Sequence, residues 1–229
     1  MSLQRDDAVA TENSRVRPDE ALPLRLYGNR NSGHSYKVAL FLQLSAIDYE
    51  YVHINLDTNR AHRPAAFRRL AKFDEVPIVV YGDIVLSQSN AILLYLSRKL
   101  RRYEAMSEYD QELIHQWLFW EANRIGFSLS NLRHIRRLGL TEPELEIYYS
   151  NRTKDDLDRL NQEFSQGEKS FLIGERPTIA DISCCGYLFW AREAEINVDQ
   201  WPAVSAWLSR IRALPGWIEP SALMAARNP

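Results

Sequence analysis

Cysteine is almost absent: there are two in 229 residues, Cys184 and Cys185, and they are adjacent. Neighbouring cysteines supply neither a CxxC redox pair nor a metal-ligand spacing, and no disulfide framework can be built from them. The chain therefore reads as one of a reduced, cytoplasmic compartment, with no metal centre. Long apolar runs are missing as well. The strongest, residues 38–44 and 91–96, fall far below the ~20 residues that cross a bilayer. The first 22 residues carry Arg, Asp and Glu where a signal peptide needs an apolar stretch of ~7–15 residues. No membrane partner is expected. An excess of one charge is also lacking: 28 Lys and Arg against 30 Asp and Glu leave a formal net charge of −2, which speaks against a nucleic-acid partner.

What is present is an ordinary globular composition, 45% hydrophobic and 25% charged, in a chain long enough for one large domain or two small ones. Residues 1–21 read as a mobile extension. Leu24-Arg25-Leu26-Tyr27-Gly28 alternates and runs into the turn formers Asn29 to Gly33, as a strand entering a loop does. A helix follows, with Val38, Phe41, Leu40 and Leu44 on adjoining faces, so it is buried broadly. Tyr51 to Leu56 returns to period two, a short helix is expected near Pro64 to Leu70, and Val76 to Tyr81 is a strand opened by proline. Gly82-Asp83 turns into a further strand, Ile84 to Leu86, and Ser87-Gln88-Ser89-Asn90 caps a helix. The order is βαβαββα, a small mixed sheet covered by helices. Beyond Arg102 the strand signal stops; Leu113, Trp117, Trp120, Arg124 and Phe127 keep the helical period, as do Leu157, Leu160 and Phe164. The expected division is an α/β domain at 22–100 and an all-helical one at 107–220.

Several short stretches can carry chemistry. Val76-Pro77 is an X-Pro bond at a strand entry, open to either isomer. Gln88-Ser89 stands at a helix start, where unpaired N–H groups either meet a serine cap or hold an anion. Ser32 precedes the first helix, where it caps or, with the helix dipole, stabilises a thiolate. Thr178 and Asp181 form a capping box with a structural role. Trp117, Phe119, Trp120 and Phe127 are core or cleft lining, and Arg124 among them marks a face that meets polar groups.

Taken in order, Leu26-Tyr27-Gly28 with Ser32 to Val38, Glu75-Val76-Pro77, Ser87 to Ile92 and Thr178 to Asp181 resemble the cytosolic glutathione S-transferase family. The resemblance covers about 22–220 and implies a thioredoxin-like first domain. It further implies a cis Val76–Pro77 bond whose Val76 backbone pairs with the cysteinyl unit of glutathione, with Gln88 and Ser89 holding the γ-glutamyl end. Ser32 matches the catalytic serine of theta- and delta-like members, and Tyr27 is the alternative. His62 falls near the glycyl end, with Arg60, Arg63 and Lys72 as competing cations. Asp74-Glu75 departs from the family pattern and brings negative charge close to the glycyl carboxylate. The implied reaction is attack of glutathione thiolate on a hydrophobic electrophile seated against Trp117, Trp120 and Arg124, in a homodimer with no metal. Two alternatives remain: a non-catalytic binding protein on the same fold, and a glutathione-dependent reductase or peroxidase.

Overall fold

The computed structural model describes residues 23–167 and 169–225, so the expected N-terminal extension lies outside the described residues. Strand β1 (Leu24–Gly28) leads into helix α1 (Gly33–Leu44) and returns as β2 (Glu50–His53). A 3-10 turn (Arg60–His62) and α2 (Ala65–Leu70) precede the hairpin β3 (Ile78–Tyr81) and β4 (Ile84–Ser87), and α3 (Ser89–Leu100) closes the unit. The sheet order is β2-β1-β3-β4. β1 and β2 run parallel with Leu26 beside Tyr51, because a helix carries the chain between them; β3 pairs antiparallel with β1, Leu26 against Val79. This is the thioredoxin-like arrangement the strand and helix signals predict.

Among the described residues six further α-helices follow: α4 (Glu108–Asn123), α5 (Ile125–Leu138), α6 (Pro143–Ser165), α7 (Ile179–Cys184), α8 (Pro202–Arg212) and α9 (Pro220–Ala225). Among the described residues no helix is long and apolar enough to cross a membrane. Helix α1 is buried nearly all round because the sheet covers one side of it and α3, α7 and α9 cover the other. One core therefore runs from Leu26 and Phe41 through Leu118 and Leu157 to Trp207. A smaller apolar cluster, Tyr27, Ile54, Phe67, Ala71 and Ile78, sits under α2.

The helical period from Leu113 to Phe127 is not one helix. α4 stops at Asn123, and Arg124, at φ −116° and ψ −106°, joins it to α5. The capping box is formed as expected. The Thr178 hydroxyl accepts from the Ala180 N–H at 3.2 Å and Asp181 Oδ2 accepts from the Thr178 N–H at 2.9 Å. The other oxygen, Oδ1, accepts from the Leu172 N–H at 2.8 Å and from Trp207 Nε1 at 3.0 Å, so one buried carboxylate ties α7, the preceding loop and α8 together.

Candidate functional site

Where the first seven elements meet α4 and α5, a cleft of about 750 Å³ opens. The start of α1 forms one of its corners. Ser32 is the N-cap, buried, with its Oγ accepting from the Ser35 N–H at 3.1 Å. Asn29 fixes the approach: its Nδ2 donates to the Ile54 carbonyl at 2.8 Å and its Oδ1 accepts from the Asn31 N–H at 2.8 Å. The hydroxyl therefore sits on a rigid turn, at the positive end of the helix.

The Val76–Pro77 bond is cis, and both residues line the cleft. At the start of α3 the structure corrects the serine-cap expectation. The N-cap is Gln88, in the left-handed region at φ 68°, and no side chain caps the helix. Instead the Gln88 amide donates to Glu75 Oε2 at 3.1 Å. Ser89, buried at the first helical position, and the Gln88–Glu75 pair all face the cleft.

Five other expected residues lie elsewhere. His62 is exposed on the 3-10 turn and off the cleft wall, whereas Arg60 and Arg63 line it. Arg63 is buried, donates to the Asp74 and Leu56 carbonyls at 2.8 and 3.5 Å, and keeps a buried Nε with no partner among the described residues. Trp117 and Trp120 stack edge-on at 5.3 Å against the core, off the cleft. α4 presents His115, Leu118, Phe119 and Ala122 to the cleft, one helical face away from them. Arg124 serves the helix junction, its Nε 2.7 Å from Asp156 Oδ1. Tyr27, the rival to Ser32, belongs to the cluster under α2, and Arg25 reaches its hydroxyl at 3.4 Å.

The wall behind Ser32 is ionic. Lys37 Nζ, almost wholly buried, donates to Glu121 Oε2 at 2.7 Å, Asn90 Oδ1 at 2.8 Å and Ser183 Oγ at 3.0 Å, joining α1, α4, α3 and α7. Burial alone would raise the Glu121 carboxyl; the Lys37 charge, His34 and hydrogen bonds from Lys37 and Asn90 outweigh it and hold the carboxyl below its ordinary value. One turn before Lys37, His34 lines the cleft, and burial together with the Lys37 ammonium pushes it from 6.5 down to about 4. Its imidazole is neutral at physiological pH.

Sequence reading missed the second-half wall. Ser130, Arg133, His134 and Arg137 face the cleft from α5 at i, i+3, i+4 and i+7, a polar, basic stripe rather than an apolar one. That spacing is visible in the sequence and was the available signal. Tyr187, which follows α7, and His34 also line the cleft and carried none.

Known proteins match the chain in both of its halves. Residues 22–98 match the glutathione S-transferase N-terminal domain model and 149–215 the C-terminal one. The chain is similar to a glutathione S-transferase of Xanthobacter autotrophicus, with 30% identity and a TM-score of 0.77 over 85% of this chain and 95% of that one. It is 28% identical to the Escherichia coli disulfide-bond oxidoreductase YfcG, over 80% of this chain and 87% of that protein. It is 26% identical to mouse glutathione S-transferase theta-2, over 84% and 82%.

Proposed function

From the premise that this chain belongs to the glutathione S-transferase family and is an enzyme of that kind, we propose that it activates glutathione as a thiolate and passes the sulfur to a second, anionic substrate. The observation that carries this reading is the convergence on one cleft of Ser32 at the α1 N-terminus, Val76 before the cis proline and the uncapped start of α3. A thiol of pKa ~8.5 is mostly protonated at neutral pH, and a hydroxyl donor at a helix N-terminus lowers that value.

In this reading Ser32 donates to the sulfur, and the Val76 backbone pairs with the cysteinyl unit. The Ser89 end of α3 takes the γ-glutamyl carboxylate, while Glu75 and Gln88 take its amino group. Arg60 and Arg63, rather than His62, face the glycyl carboxylate, which offsets the negative charge of Asp74. Holding the thiolate beside its target adds proximity to activation.

The second substrate differs from a purely hydrophobic electrophile because of α5. His134 and Arg137 put cationic and hydrogen-bonding groups where the partner would sit, beside the exposed aromatic Phe119, while Arg133 between them is buried and already paired with Glu193 at 2.8 Å and the Asn31 carbonyl at 2.6 Å. An electrophile bearing a carboxylate fits that wall. The same stripe favours a second reading, reduction of a glutathionyl disulfide. There the thiolate attacks one sulfur, the disulfide bond breaks, and the departing thiolate takes up a proton. The name of the Escherichia coli relative supports this reading, although it belongs to that protein.

Calorimetric titration of glutathione into the wild type, Ser32→Ala and Ser89→Ala tests the site. Saturable binding weakened by Ser89→Ala, with thiolate absorbance lost in Ser32→Ala, is expected. No binding at millimolar glutathione would leave only a binding role for the fold. Turnover assays with carboxylated electrophiles and with a glutathionyl disulfide separate the two reactions.

A further inference from the structure

The second half contributes more to Ser32 than a wall. Tyr187, just beyond the end of α7, lays its ring directly over Gly33: a methyl group at that position would come within 2.6 Å of the ring. The same ring meets His34 edge-on, 5.0 Å between centroids, and lines the cleft beside Ser32. Ser32 and the Gly33 backbone both act on its phenol through hydrogen bonding, drawing its titration down against burial. The glycine is what permits this approach, since any side chain at position 33 would expel the ring.

The hydroxyl of Ser32 has one hydrogen to give and two lone pairs to fill. One lone pair accepts from the Ser35 N–H. We propose that the Tyr187 hydroxyl donates to the second lone pair, so that the Ser32 hydrogen is left with no protein acceptor and is aimed at the glutathione sulfur. Tyr187 is then a positioning residue, acting through Ser32, and the second domain sets the hydrogen-bond direction at the catalytic atom of the first. The inference rests on the glutathione-activating reading given above.

The charge environment favours Tyr187 as a donor. Burial raises its phenol, against the opposing influence of Arg133 on α5, Ser32 and Gly33, while Glu121 on α4 adds to the rise. His34 on α1, the remaining titratable group in contact, is neutral above about pH 4, and its buried Nδ1 has no hydrogen-bond partner among the described residues, so it does not take the phenolic hydrogen. Two hydroxyls in series also polarise one another, which strengthens the last bond of the chain.

The test is the apparent pKa of glutathione bound to the wild type, Tyr187→Phe, Ser32→Ala and the double variant, read from thiolate absorbance against pH. Tyr187→Phe keeps the ring on Gly33 and His34, and an unchanged melting temperature confirms that packing. A fall of about 3- to 10-fold in thiolate at neutral pH is expected for Tyr187→Phe, the range of one net hydrogen bond, with glutathione affinity unchanged. The double variant should match Ser32→Ala, because Tyr187 acts only through the serine. An unaltered thiol pKa in Tyr187→Phe would overturn the proposal, as would a double variant clearly worse than Ser32→Ala, which would make Tyr187 a direct donor to sulfur. A wild type that binds glutathione without lowering its pKa would instead sink the functional reading itself, and this inference with it.

Discussion

Lys37 and Glu121 meet at 2.7 Å with 1% and 2% of their side chains exposed, one from α1 and the other from α4. Removing one partner strands the other in the interior along with Asn90 and Ser183, and stranded buried charges destabilise by about 3–5 kcal/mol. We expect Lys37→Met to lower stability by that amount in urea unfolding. Lys37→Met with Glu121→Leu should be much milder than the sum of the single changes. A Lys37→Met loss below about 1 kcal/mol, under the usual net value of even one hydrogen bond, would show that the pair is not buried in solution.

The His34 imidazole, lowered from 6.5 to about 4, makes stability depend on pH. The folded state keeps it neutral while the unfolded chain protonates it near 6.5, so its contribution is complete above pH 6.5 and is lost as pH falls toward 4. Each unit of that interval withdraws at most about 1.4 kcal/mol. The wild-type curve minus that of His34→Asn should slope across this window. A flat difference curve would mean that His34 titrates normally.

Asp181 and Thr178 share one cap, yet their losses should differ. Thr178→Ala removes a capping oxygen and should cost about 1 kcal/mol. Asp181→Ala also leaves the Leu172 N–H and Trp207 Nε1 without their acceptor, each such group adding about 1–3 kcal/mol. Equal melting temperatures for the two variants would contradict the shared carboxylate.

Opposite effects are expected for two arginines. Arg137→Ala should raise KM for a carboxylate-bearing electrophile several-fold while sparing a neutral one, since its side chain faces the cleft. Arg124→Ala should leave both KM values alone and reduce stability by about 1–3 kcal/mol, because Asp156 keeps only Ser128 as a donor at 2.7 Å. Trp120→Ala should likewise spare KM. A change of KM in Arg124→Ala would move the second-substrate site to the outer face of α4.

The alternation of β1, the hairpin at Gly82-Asp83 and the Thr178–Asp181 box were legible because each depends on contacts within a few residues. The order βαβαββα followed from them. Helix phase was not legible. Trp117, Trp120 and Arg124 carry the apolar and charged chemistry of a cleft, but which face of α4 turns toward the first domain is set by Leu118 and Ile114 packing into the shared core. The break at Arg124 was hidden because Ile125 and Leu129 resume an apolar face at nearly the same spacing. The N-cap position of Gln88 and its pairing with Glu75 were hidden for a different reason: serines on both sides suggested a cap, and the positive φ that turns its side chain toward Glu75 has no signature in a non-glycine residue.

That uncapped α3 makes a segment of secondary structure incomplete in the protein alone. Every helix leaves its first N–H groups without intrahelical acceptors, and here no side chain supplies one. A carboxylate arriving from solvent would finish the turn, so the ligand becomes the last piece of the helix. Amide exchange in the first turn of α3 would then report occupancy directly, fast when the cleft is empty and slow when it is filled.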